Sequence, residues 1–376
     1  MGEYAGEAAT TAVPGEGAPV FVSTTAPSLS EVIKYKKLSF EEASRCLNML
    51  GKDETGSRYA YLMITATDQK LTDVSIILSF KHVFFLDLSG NYLTTEALQV
   101  LVAMPFLILL KAERNRVDSA SLDTMHYLQV LDLNQNQIKN VENINQPLLD
   151  VLELNFNDIY ITRFETANLE KLKQLELRSN LLFEISGTLP LSIEKMYLAG
   201  NKISVITSPD FAKMAHLEVL HLRDNNLQQL DGFSEAMVKL KYLNLRNNKI
   251  GNFKEFKKLQ CLPNLETLIV LGNPLPGTLN EEAPQPGEGA IPGEGGPLPG
   301  EGGPIRDPVL IPLLVILPKL KRINKTVITM QIKVEAEDME NDVLEALLAD
   351  ENTIQETDRT TTSAPTSDYK EESDAN

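Results

Sequence analysis

The sequence predicts an α/β solenoid: a stack of short parallel strands closed at each end by a cap. Three observations lead there. A leucine pattern recurs at near-constant spacing, a polar amide holds one fixed slot in it, and the composition suits an aliphatic core. The pattern is LxxLxLxxNxL. Its clearest copies are Leu128-Leu131-Leu133-Asn136-Ile138, Leu172-Leu175-Leu177-Asn180-Leu182, Leu217-Leu220-Leu222-Asn225-Leu227 and Leu240-Leu243-Leu245-Asn248-Ile250. The amide slot falls at 69, 91, 115, 136, 157, 180, 201, 225, 248 and 273, with Gln69 in place of asparagine in the first copy, Tyr61-Ile64-Ala66-Gln69-Leu71. Residues of the AVILMFWYC set make up 43% of the 376-residue chain, aromatics only 6%, and there is no Trp.

The spacing dictates the geometry. The LxL segment alternates with period two, so it forms a short strand with leucines on one face. Parallel strands about 4.8 Å apart stack equivalent leucines into continuous apolar ladders. The asparagine stands where the chain leaves the strand. Its amide both donates and accepts, so it can satisfy buried backbone groups of the turn, at a cost of about 1–3 kcal/mol if lost. The dozen or so remaining residues return as loose helix or 3₁₀ turns. These are leucine-rich repeats: about ten units of 21–25 residues, forming a horseshoe with a parallel sheet on its concave side. One unit cannot bury its own leucines, so the ends need caps.

The ends are readable as well. Ser39-Phe40-Glu41-Glu42 is a capping-box pattern. It predicts a cap helix over 39–58 with Phe40, Ala43, Leu47 and Leu50 on one stripe. Residues 59–275 are the solenoid. Three copies of Pro-Gly-Glu-Gly mark 276–308 as a disordered insertion, and 309–330 resumes as a C-terminal cap. An acidic amphipathic helix is expected over 331–352, with Val343, Leu344, Leu347 and Leu348 on one stripe, lying along a partner. Residues 1–38 and 353–376 read as disordered. Of the formal net charge of −17, the stretch 335–376 carries −12, from fourteen acidic and two basic residues.

That charge argues against nucleic acid or an anionic membrane as the main partner. Cys46 and Cys261 have no metal-ligand spacing and read as two buried free thiols of a reducing compartment. No secretory signal precedes the repeats, and the most apolar run, 310–317, contains Pro312 and is too short to span a membrane. A cytoplasmic protein is expected. Phosphate-binding loops, nucleophile elbows and paired metal-ligating histidines are absent from the sequence, so no enzyme, cofactor or metal is expected.

The candidate site is therefore the concave face. Its central outward column reads Asp87, Lys111, Asp132, Glu153, Glu176, Tyr197, His221, Asn244, Ile269, and the next reads Ser89, Glu113, Asn134, Asn155, Arg178, Ala199, Arg223, Arg246, Leu271. Asp132, Glu153 and Glu176 form an acidic block. Arg178, Arg223 and Arg246 with His221 form a basic one, and Tyr197 and Tyr242 stand among them. Two charge blocks with apolar anchors (Phe85, Val130, Val151, Val219, Tyr242) fit protein binding.

The stretches 217–225, 232–234 and 240–246, with 71–74 entering the first strong repeat, resemble a family of leucine-rich-repeat proteins from the radial spokes of the axoneme. The resemblance covers residues 39–275. It implies a structural subunit of motile cilia or sperm flagella, with other spoke and axonemal proteins as partners in a large complex. The short units are also similar to phosphatase-regulator leucine-rich repeats, which imply the alternative of a cytosolic solenoid bound to a phosphatase catalytic subunit.

Overall fold

A computed structural model of the chain describes residues 34–277 and 307–345. The Pro-Gly-Glu-Gly copies, most of the N-terminal stretch and the acidic tail lie outside the described residues. The compact body begins at Lys36.

The body opens with α1 (Phe40–Arg45), capped as the sequence predicts: Glu42 N–H donates to Ser39 Oγ, and Ser39 N–H to the Glu42 carboxylate. The helix is much shorter than 39–58, however. The chain turns at Cys46 into β1 (Leu47–Lys52), antiparallel to β2 (Tyr59–Thr65). Only Ala43 of the expected stripe is fully buried, while Leu50 is 64% exposed. A strand pairing across the 53–58 turn overrides the local helical pattern here. Phe40 instead stacks on Phe80, with ring centroids 5.1 Å apart.

From β2 onward each repeat contributes one strand. These are β3 (Phe85–Asp87), β4 (Leu109–Lys111), β5 (Val130–Asp132), β6 (Val151–Glu153) and β7 (Gln174–Glu176). A side pair follows, β8 (Glu184–Ile185), with β9 (Lys195–Tyr197) back in the main sheet and β10 (Val205–Ile206) joining β8 in parallel. The series ends with β11 (Val219–His221), β12 (Tyr242–Asn244) and β13 (Thr267–Ile269). All main-sheet pairings from β2 to β13 are parallel and register-matched, so Leu110, Leu131, Leu152, Leu175, Met196, Leu220, Leu243 and Leu268 form one ladder. Every member of it is at most 1% exposed. The return segments are 3₁₀ turns, the longest being Phe253–Cys261, one short α-helix, α2 (Thr95–Gln99), and irregular chain.

The stack is closed by α3 (Leu310–Ile316), whose Pro312 sits in the first turn, where no intrahelical N–H bond is due. β14 (Arg322–Ile323) then adds parallel to β13, and β15 (Thr326–Val327) folds back antiparallel on β14. The amphipathic segment differs from expectation. α4 (Met330–Asp338) packs on α3 with Ala336 buried, a turn follows at Met339, and Val343 from the helical stretch 340–345 also reaches the core. Its first half thus lies on the solenoid rather than along a partner. Leu347 and Leu348 are outside the described residues. Cys46 and Cys261 are free, as expected, but half-buried rather than buried.

The asparagine slot does more than close its own turn. Asn225 Nδ2 donates to the carbonyls of Leu222 and Arg223 in its own repeat and to Leu198 in the preceding one. Its Oδ1 accepts from Ile203 N–H, also in the preceding repeat. The same cross-repeat acceptor bond is made by Asn115, Asn136, Asn157, Asn180, Asn201, Asn248 and Asn273. Immediately before each amide the chain passes through positive φ: Arg114 (54°), Gln135 (54°), Phe156 (56°), Ser179 (53°), Asp224 (58°), Asn247 (52°), with Gly90, Gly200 and Gly272 at equivalent places. At Gly272 a Cβ would come within 2.0 Å of Asn247 Oδ1, so a side chain there would have to displace the end of the Asn247 amide as well as adopt positive φ.

Leu220→Ala opens a cavity in the ladder and should cost about 2–5 kcal/mol. Asn225→Ala orphans buried backbone groups in two repeats, at about 1–3 kcal/mol each, and should cost at least as much. Urea denaturation of the two variants checks this; an unmoved midpoint for Asn225→Ala contradicts the bridging role.

Candidate sheet-face interaction site

Each main-sheet strand from β3 to β13 is three residues long, and its middle residue is committed to the core. The first and third point outward. The structure places all nine sequence-predicted residues on or beside this face: Asp132, Glu153, Glu176, Tyr197 and His221 at third positions, Tyr242 at a first position, and Arg178, Arg223 and Arg246 just beyond the strands.

The acidic block is continuous. Asp132 lies opposite Glu153, and Glu153 opposite Glu176, on three successive strands. Glu176 is the best compensated, with Arg178 Nη1 at 3.1 Å and amide donors from Asn155 at 2.9 Å and Gln174 at 2.8 Å. Glu153 accepts from Asn134 Nδ2 at 2.9 Å. Asp132 is buried and accepts from Asn134 N–H at 3.1 Å. Burial, opposed by that hydrogen bond and reinforced by Glu153 and Glu113, pushes its carboxyl up to about 6.

The second block is less basic than its composition suggests. Burial and the neighbouring Arg178 and Arg223 push His221 down to about 4, so it is a neutral ring at physiological pH. It is the centre of a stack. The Arg178 guanidinium lies 4.3 Å from the Tyr197 ring centroid, Tyr197 is 5.0 Å from His221, and His221 is 5.0 Å from Tyr242. Arg178 is therefore shared between Glu176 and an aromatic face. Arg223 approaches Asp224 at 3.6 Å, and Arg246 makes no ion pair among the described residues. The composite is an acidic row, an aromatic–guanidinium stack, and two outlying arginines.

Sequence spacing did not show this stack, because Tyr242 reaches His221 diagonally rather than by register. Nor did it show a second aromatic run at the sheet margin, where Phe84, Phe106 and Tyr127 meet with centroids 6.3 and 5.9 Å apart. The histidines carry no metal spacing in sequence, yet the fold brings His82 to Asp53 and Glu54, with donor atoms within 4.8 Å of one another. Hydrogen bonding accounts for these groups: His82 Nδ1 bonds the Glu54 carboxylate at 2.8 Å, and Asp53 Oδ1 accepts from Thr55, Ser57 and Arg58 in its own turn.

The raised Asp132 carboxyl sets a pH dependence. Its folded value of about 6 lies above the ordinary aspartate value of 3.8. Its contribution to stability is therefore fully present below the unfolded value and lost as pH rises through the folded one. Asp132→Asn should raise the thermal midpoint at pH 7.5, and the difference from wild type should shrink as pH falls from 6 toward 4. Paired melting curves across that range check it; a difference that grows on acidification contradicts the assignment.

The description "Leucine rich repeat" matches residues 191–250 and 215–275. Leucine-rich repeat-containing protein 23 of Bos taurus is 36% identical over 61% of this chain and 66% of its own length. The Xenopus tropicalis protein of that name is 39% identical over 63% of this chain and 67% of its own. The chain thus spans about two thirds of the length of these curated relatives. Among solved structures, an internalin of Listeria monocytogenes covers 75% of this chain and 88% of its own at 15% identity, with a TM-score of 0.44. With the repeat register, the amide ladder and 36–39% identity to these curated relatives, the chain belongs to the leucine-rich-repeat family that includes leucine-rich repeat-containing protein 23.

Proposed function

We propose that this protein is a non-catalytic scaffold that holds other proteins on the exposed face of its sheet, as a structural subunit of axonemal radial spokes in motile cilia or sperm flagella. The scaffold reading is carried by one observation: charged and aromatic side chains occupy successive strands in unbroken register. Such a row adds nothing to the core and presents a shaped, chemically varied surface, which is how solenoids engage partners. The axonemal setting rests on the resemblance of the 217–246 repeats and on membership of the family named above. It makes the natural partners other spoke and axonemal proteins, and the natural location the cytoskeleton of the cilium.

Reversing Arg223 and Arg246 to Glu should abolish association, because like charges set against a partner's acidic groups cost several kcal/mol of binding. Both side chains are exposed, so the fold should survive, with surface changes worth no more than about 0.5 kcal/mol. The control is the double reversal Lys171→Glu and Lys257→Glu, at exposed positions away from the sheet face. Recovery of neighbours from ciliated-cell or flagellar extract, with circular dichroism on the same proteins, checks this. Undiminished recovery by the Arg223 and Arg246 variant overturns the reading.

A further inference from the structure

The geometry points to a basic amphipathic helix as the partner segment of the acidic half of the sheet face, lying across strands β5 to β7 with lysine or arginine over Asp132 and Glu153. The inference rests on the scaffold reading and names the chemistry that its surface selects.

Two parallel rows define the surface. The first positions of β4, β5 and β6 bring Leu109, Val130 and Val151 into register, all half-buried and apolar. One residue over on the same face runs the acidic row. Like charges directly opposite in a sheet destabilise it, and this row places Asp132 opposite Glu153 and Glu153 opposite Glu176. Only Glu176 has an ion-pair partner among the described residues, and that partner is Arg178. Asp132 and Glu153 are held by Asn134, a neutral donor that leaves the charge in place. Lys111 on β4 lies opposite Asp132 but makes no ion pair with it among the described residues, and its pull is outweighed by the repulsion of Glu153 and Glu113. The sheet thus presents negative charge short of cations beside an apolar strip, and a partner that brings cations relieves it.

Spacing selects the helix. Successive rungs of the sheet are about 4.8 Å apart. Along a helix laid across the strands, residues at i, i+3 or i+4 and i+7 recur about every 5.4 Å on one face, close enough to set one cation on each of two or three rungs. An extended chain in the same direction repeats its side chains about every 6.6–6.8 Å and loses the match after one rung. The apolar row beside the acidic one calls for a helix with leucine-like residues flanking its basic stripe. Its two ends would meet Lys111 on β4 and Arg178 beyond β7, where a further cation is repelled, which fixes the register along the sheet.

The test uses the full chain and a fluorescein-labelled amphipathic helix of about 18 residues of lysine and leucine, its glutamate-for-lysine counterpart, and a version of the lysine peptide with a central proline. Binding is read by fluorescence anisotropy. A chain of net charge −17 attracts any cation, so Asp132→Asn with Glu153→Gln is compared with Glu96→Gln and Glu170→Gln, which remove the same charge elsewhere. The expected result is a loss of about tenfold or more in affinity for the first pair and little change for the second, with weak binding of the glutamate and proline peptides. Equal losses in both pairs mean indiscriminate attraction and overturn the proposal. Tighter binding of the glutamate peptide overturns the basic chemistry, and equal binding of the proline peptide overturns the helix. If the basic helix fails while the Arg223 and Arg246 reversal still releases native neighbours, the scaffold reading stands and only the partner's chemistry is wrong.

Discussion

In every repeat after the first, the strand ends by turning through a residue with positive φ, and the asparagine that follows bonds backbone groups of two repeats at once. This amide is the constraint on which the rest depends. The turn aims N–H and C=O groups inward, where water does not reach, and such groups must be paired. The amide offers two donors and one acceptor oxygen, enough to answer its own turn and the preceding repeat together. No repeat is satisfied alone: its leucines need a neighbour's leucines, and its backbone needs a neighbour's amide. Strained conformations at large residues such as Phe156 persist because the flanking bonds over-determine them.

The ends of the stack show the same rule by exception. Gln69 has no repeat before it, and its amide turns to the Cys46 thiol at 3.5 Å instead of to carbonyls of an earlier unit. At the other end Asn324, after the last full repeat, accepts from Val270 and Leu271 N–H at 2.8 and 3.2 Å. The hairpin and the α3–β15 segment are thus caps in a hydrogen-bonding sense as well as an apolar one. With stability supplied along the stack by neighbour interfaces, the outward strand positions are free to carry side chains that stabilise nothing, such as the facing carboxylates of Asp132 and Glu153.

Much of this was legible in the sequence, and the failures have physical reasons. A residue such as Leu220 is fixed by local period and by an identical neighbour every 21–25 residues, so its burial could be read directly. The capping box at Ser39 is local too, and it stands. Leu47 and Leu50 fit a helical stripe just as well as a strand, and only the distant partners Ile64 and Tyr61 decide between them. The positive-φ position before each amide has no sequence signature, because its identity varies from Gly90 to Phe156 and the turn imposes the conformation. On the face, residue positions were readable and charge states were not. His221 looks basic by type, and becomes a neutral member of a stack only when Arg178 and Arg223 are brought beside it. Which surface the apolar stripe expected over 331–352 would face was undecidable from its own pattern, since such a stripe packs on any apolar surface; for α4, α3 supplies that surface.

Native-state hydrogen exchange tests the central role of the amide ladder most directly. The N–H groups of Ile138, Ile159, Leu182, Ile203 and Leu227 lie outside helices and main-sheet strands, and each is bound by an asparagine Oδ1 of the next repeat. If those amides hold the stack together, these protons exchange as slowly as Leu133 N–H, which is bound to the Glu153 carbonyl, and open only with global unfolding. Exchange at the rate of the exposed return segments, with the strand amides still protected, would contradict the account.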